Sequence, residues 1–156
     1  MGKICVFFGH REVPKELYPR LKEAVEAAIA SGVTEFWNGG YGGFDSMAQS
    51  VVNEAKREYP YILHRLVYAY PPVHGPDACF DQAFCPDILN EYEYRARIPK
   101  RNLWMAEQCD MAITYVNHDE STIYQPLDHM YQMEKAFVRL GDYEPRVRLF
   151  WWQEKE

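Results

Sequence analysis

Four glycines fall within five consecutive positions in the run Asn38-Gly39-Gly40-Tyr41-Gly42-Gly43-Phe44-Asp45, between a short β-prone segment and an amphipathic helical pattern. Glycine has no Cβ, so such a turn takes positive φ angles and lets a ligand approach the backbone closely. The helix start that follows offers free N–H groups and a partial positive charge. A strand, a glycine turn and a helix in that order point to an α/β protein and to a place where such a protein holds phosphate. The motif is not the G-x-G-x-x-G dinucleotide fingerprint, and it follows the second apolar run where that fingerprint follows the first. It also has a purely structural reading as a tight turn.

The rest of the chain repeats the alternation. Ile4 to Phe8 is a continuous apolar run ending at Gly9, as expected of a strand buried on both faces of a parallel sheet. Pro14 suits a helix start, and Leu17, Leu21, Val25, Ala28 and Ile29 recur at helical spacing until Ser31-Gly32. Thr34 to Trp37 leads into the glycine turn, Met47 to Ala55 forms the next helical stripe, and Ile62 to Tyr70 reads as a third strand stopped by Pro71-Pro72. Residues 71–98 lose the pattern and read as an irregular excursion over a site. A helix near Lys100 to Gln108, a strand Met111 to Val116, a helix from Ser121 to Leu140 and a last strand Val147 to Trp152 complete the order. The expectation is one domain over residues 1–156: a Rossmann-like three-layer sandwich, its mostly parallel sheet of about five strands covered by helices on both faces.

Composition narrows the function classes. A net charge of −6 disfavours a general electrostatic grip on nucleic acid, which needs clustered cations to displace counterions. No apolar run reaches the ~18 residues of a membrane span, and the start Met-Gly-Lys-Ile-Cys lacks a signal-peptide core, so a cytoplasmic location is expected. The four cysteines show no C-x-x-C spacing and the five histidines no zinc pattern, which predicts reduced thiols and no metal.

In an open parallel sheet, ligands sit beyond the carboxyl ends of the strands. That rule selects Gly9, His10 and Arg11 after the first strand, Gly39, Gly40, Gly43 and Asp45 in and after the glycine turn, and Asn117, Ser121 and Thr122 after the fourth strand. His10 and Arg11 can donate to phosphate, Arg11 through a planar fork, unless the loop is only a surface loop. Asp45 has two roles open to it, a partner for the helix dipole or a holder of a ribose hydroxyl. Ser121 and Thr122 read first as N-caps, and otherwise as phosphate ligands if the neighbouring Asp119-Glu120 carboxylates point away or meet sugar hydroxyls. Arg95, Arg97, Lys100 and Arg101 place four cations within seven residues, with Asn102 following. They read as a solvated face or, for Arg101 and Asn102 in a first helical turn, as anion contacts.

Phe8-Gly9-His10-Arg11, the glycine turn through Asp45, Lys100-Arg101-Asn102-Leu103-Trp104-Met105 and Tyr115-Val116-Asn117-His118 together resemble the SLOG superfamily. More narrowly, they resemble its small single-domain bacterial members from Firmicutes and their mobile elements, with patterns like T-G-H-R, T-G-G-x-x-G-x-D and K-R-N-x-x-M. The resemblance runs from Ile4 to about Leu140. It implies a Rossmann-like fold that binds nucleotides or nucleotide-derived molecules, in a superfamily that includes cytokinin-activating phosphoribohydrolases, the DNA-processing protein of transformation and signal-binding domains of bacterial defence. Three departures matter. Phe8 replaces the hydroxyl residue before Gly-His-Arg, Ser121-Thr122 stands where a glycine pair is usual, and the phosphoribohydrolases' catalytic glutamate has no counterpart from Ser121 to Pro126.

The leading expectation is therefore a binding module for a nucleotide-derived small molecule, sensing or regulatory. An N-glycosidic hydrolase or transferase acting on nucleoside monophosphates, with Asp45 or Glu120 replacing the absent glutamate, is the alternative. A nucleic-acid accessory protein using the Arg95 to Arg101 cations is the weakest. Trp104, Trp151, Trp152 and the many tyrosines predict an oligomer through aromatic surface.

Overall fold

A computed structural model describes residues 2–71, 80–117 and 122–147. Its core is one sheet of six parallel strands: β1 (Lys3–Gly9), β2 (Val33–Asn38), β3 (Leu63–Val67), β4 (Gln82–Phe84), β5 (Met111–Tyr115) and β6 (Ala136–Arg139), in the order β4-β3-β2-β1-β5-β6. Four helices connect them: α1 (Tyr18–Ala30), α2 (Gly43–Glu58), α3 (Arg97–Gln108) and α4 (Tyr124–Gln132). This is the expected Rossmann-like sandwich with one strand more than foreseen.

The layers follow from period-two alternation on strands buried on both faces. Cys5, Phe7, Phe36 and Ile113 pack with Leu21, Val25, Val51 and Val52 of α1 and α2 on one face. Val6, Phe8, Trp37 and Ala112 pack with Met105, Ala106, Leu127 and Met130 of α3 and α4 on the other. Burial pushes the Cys109 thiol up to about 12 and raises Cys5 as well, so both behave as small buried hydrophobes.

Two sequence expectations need correction. The helix foreseen from Ser121 to Leu140 ends at Gln132. Glu134 takes φ 59°, in the left-handed region, and Ala136 to Arg139 leave the turn as β6 beside β5. Lys135 fixes the break, its backbone N–H donating to Met130 O at 2.9 Å and its Nζ to Ala106 O at 2.9 Å. The excursion is also less irregular than expected: residues 80–98 supply β4, two 3₁₀ turns (Asp87–Glu91 and Tyr94–Ala96) and the start of α3. The last predicted strand, beyond Val147, lies outside the described residues. Among the described residues no helix is long and apolar enough to cross a membrane.

Candidate functional site

Strand order reverses at β1, which has β2 on one side and β5 on the other. The loops leaving β1, β2 and β5 meet beyond that edge, where open α/β sheets bind ligands.

Asn38, at the end of β2 and fully buried, shapes the glycine turn. Its Oδ1 accepts from Gly40 N at 2.7 Å and its Nδ2 donates to Asp45 O at 2.8 Å, spanning the turn. Gly40 and Gly42 take φ of 68° and 97°, which side chains disfavour. The first N–H groups of α2 are occupied, contrary to the free cradle inferred from sequence. Gly43 N donates to Arg11 O at 2.7 Å and Phe44 N to His10 O at 3.2 Å. The α2 N-terminus thus clamps the β1 loop. A Cβ on Gly43 would lie 2.4 Å from Arg11 O, so this glycine permits a backbone-to-backbone contact.

His10 closes the switch point. Its backbone N–H donates to Tyr115 O at 3.1 Å and its Nε2 accepts from Asn117 N at 2.8 Å, which places the ring proton of a neutral His10 on Nδ1. Asn117 in turn accepts from Asp142 N on Oδ1 at 3.0 Å. His10 and Asn117 join loops rather than line the crevice.

Arg101 lies in the second turn of α3, not the first, because the helix starts at Arg97. The guanidinium is buried. Its Nη1 donates to Gly39 O and to Val67 O, both at 3.0 Å, and its Nε to Asn102 Oδ1 at 2.9 Å. Nη2 makes no hydrogen bond among the described residues. Arg97 is also buried and spans Ala69 O (2.6 Å), Leu89 O (2.7 Å) and Cys85 Sγ (3.4 Å). Two of the four cations in the basic run are thus internal braces, and Arg95 and Lys100 retain outward positions.

Gly9, Arg11, Asp45, Arg101, Asn102 and Thr122 line one cavity of about 310 Å³. Gly39 and Gly40 line a second of about 260 Å³, which shares Tyr41, Ile98 and Arg101 with the first. Glu120 and Ser121 lie outside the described residues. Sequence reasoning missed Tyr41 and Ile98. Tyr41 is 55% exposed with the Arg11 guanidinium 5.5 Å over its ring, and a bulky aromatic inside a glycine turn was the available signal. Among the described residues no group of three or more His, Cys, Asp or Glu side chains could hold a metal.

Asp45 is the chemically unusual wall. Its Oδ2 accepts from Tyr41 N at 3.0 Å, and burial pushes its carboxyl up to about 7 against the opposing pull of that N–H and of Arg101. The group titrates near neutrality inside a cavity and can donate or accept a hydrogen bond there.

No family model matches the sequence, and no curated protein matches it. The fold does have solved counterparts. DNA processing protein A from Streptococcus pneumoniae superposes with a TM-score of 0.61 at 14% identity over 88% of this chain and 50% of that one. The Helicobacter pylori protein, whose structure concerns single-stranded DNA binding, gives 0.60 at 14% identity over 88% of this chain and 64% of its own. The chain therefore spans half to two thirds of the length of these neighbours. The Rossmann-like architecture is shared with DNA processing protein A.

The raised pKa of Asp45 fixes a sign. The folded protein holds a proton on Asp45 between about pH 4 and 7 that the unfolded chain releases, so this contribution to stability is present at low pH and lost as pH rises through 7. Between pH 5 and pH 8 the melting temperature of Asp45→Asn is expected to rise by about 5 °C relative to the parent's, measured by thermal denaturation. Parallel pH profiles for the two proteins would contradict the assignment.

Proposed function

We propose that the crevice between the carboxyl ends of β1 and β5 binds a nucleotide or nucleotide-derived small molecule, and that the protein is a sensing or regulatory binding module. One observation carries this reading: an exposed guanidinium, a hydroxyl, an amide and a near-neutral carboxyl share one cavity where the strand order reverses. Arg11 and Thr122 suit the phosphate, with Nη2 of the anchored Arg101 as a second donor. Asp45 suits a ribose hydroxyl, which both donates and accepts.

Thermal-shift measurements with nucleoside mono-, di- and triphosphates and cyclic dinucleotides test it. At a hundredfold excess over the dissociation constant, a true ligand adds about 2.7 kcal/mol of stability. Arg11→Ala should remove most of that shift and leave the melting of the free protein unchanged, because the Arg11 side chain is exposed. No shift with any nucleotide would sink the proposal. Recovery of the nucleotide intact is the expected companion result, whereas Asp45-dependent release of free base would make the protein an N-glycosidic enzyme.

A second reading, single-stranded nucleic-acid binding, is favoured by a separate surface. Tyr94, 74% exposed, stacks on Tyr70 with ring centroids 4.4 Å apart, Lys100 Nζ lies 5.2 Å from the Tyr92 ring centroid, and Arg95 is exposed beside them. Aromatic platforms with cations suit unpaired bases, and the Helicobacter pylori neighbour is described as binding single-stranded DNA. Under this reading, fluorescence anisotropy at low salt detects oligothymidine binding that Tyr94→Ala weakens roughly tenfold, the loss of one stacked base. Absence of binding at low salt removes it.

A further inference from the structure

The second cavity differs in chemistry from the crevice beside it. About 260 Å³ in volume, it is walled by Leu66, Tyr68, Tyr70 and Ile98 and floored by the bare backbone of Gly39 and Gly40. None of its lining residues carries a carboxylate, and Arg101 is its charged member. The crevice, by contrast, brings together Arg11, Asp45, Asn102 and Thr122. Tyr41, Ile98 and Arg101 form the shared partition, so a ligand lying across it meets polar groups at one end and rings at the other.

The floor depends on missing side chains. A Cβ on Gly39 would lie 2.8 Å from Arg101 Cζ, and one on Gly40 would lie 2.6 Å from Leu66 Cδ1. The wall is preorganised. Tyr70 stacks on Tyr94, donates its hydroxyl proton to Tyr94 O at 2.7 Å and has Arg97 Cζ 5.7 Å from its ring centroid. A fixed aromatic wall loses little entropy when a planar ring binds. Arg101 Nη2 carries two N–H donors at the partition, so that one can meet the phosphate while the other meets a ring nitrogen or a carbonyl on the edge of a base.

Building on the nucleotide reading of the crevice, we infer that this second cavity seats the ligand's heteroaromatic base, so that Leu66, Tyr68 and Tyr70 determine selection of base-bearing nucleotides over bare sugar phosphates. The crevice holds the sugar phosphate and the glycine turn passes beneath both parts. Selectivity for the base thus resides on the end of β3 and the loop that follows it, away from Arg11 and Thr122.

Calorimetric titration with AMP, GMP, CMP, UMP and ribose 5-phosphate tests this division. At least one nucleoside monophosphate should bind tenfold or more tightly than ribose 5-phosphate. Leu66→Phe, which fills the cavity, should abolish that difference and leave ribose 5-phosphate affinity as in the parent, an internal check that the variant is folded. Tyr68→Leu, at a half-buried position, should reduce the difference at least threefold without touching ribose 5-phosphate. Equal affinity of ribose 5-phosphate and all four nucleotides, or a difference that survives both variants, overturns the base seat while the crevice reading stands. No binding by any of the five overturns both.

Discussion

The geometry of the site depends on one buried cation. Arg101 leaves α3 and reaches the carboxyl ends of β2 and β3, where a single guanidinium nitrogen holds Gly39 O and Val67 O. The same planar guanidinium keeps a separate donor, Nε, for Asn102 Oδ1, which a single ammonium nitrogen does not provide. Burial lowers the pKa of Arg101, and the field of Asp45 works the other way. Desolvating such a charge is unfavourable unless hydrogen bonds replace the lost water, and the two carbonyls and Asn102 Oδ1 do so at Nη1 and Nε. Helix, glycine turn and third strand are thereby fixed together, and that same side chain shares the partition between the two cavities with Tyr41 and Ile98.

The glycine turn gains its meaning from this contact. Gly39 is bare because Arg101 lies against it, Gly43 because Arg11 O does, and Asn38 braces the turn across its base. The first N–H groups of α2, which sequence alone offers to a phosphate, hold the β1 loop in place. What remains for a ligand is the cavity that this packing leaves open, with Arg11 and Thr122 at its edge and Asp45 in its wall. Glycines in such a turn can serve close packing and ligand approach together, because both need the same missing Cβ.

The architecture was legible where local pattern and tertiary role agree. The run Ile4 to Phe8, the stop at Ser31-Gly32 and the Asn38 to Asp45 turn fall where period and glycine place them. The misreadings have physical causes. Met133 to Leu140 keeps apolar residues at spacings a helix tolerates, and only the left-handed turn at Glu134 turns it into an edge strand. Arg95, Arg97, Lys100 and Arg101 look alike in sequence. Which of them turn inward is decided by carbonyls on β3, the excursion and the glycine turn, and no local pattern records those partners. Of the residues that line the first cavity, Gly9, Arg11, Asp45 and Thr122 were singled out from their places after strand ends and Arg101 and Asn102 from the basic run at a helix start, whereas Tyr41 and Ile98 became visible only once the cavity had walls.

The most direct test of this account is the stability of Arg101→Met beside Arg11→Ala in denaturant unfolding. If Arg101 is the brace, its replacement leaves Gly39 O and Val67 O without a partner, and unfolding free energy should fall by about 3 kcal/mol while Arg11→Ala stays within about 0.5 kcal/mol of the parent. An Arg101→Met protein that unfolds at the parent's midpoint with the parent's slope would contradict it.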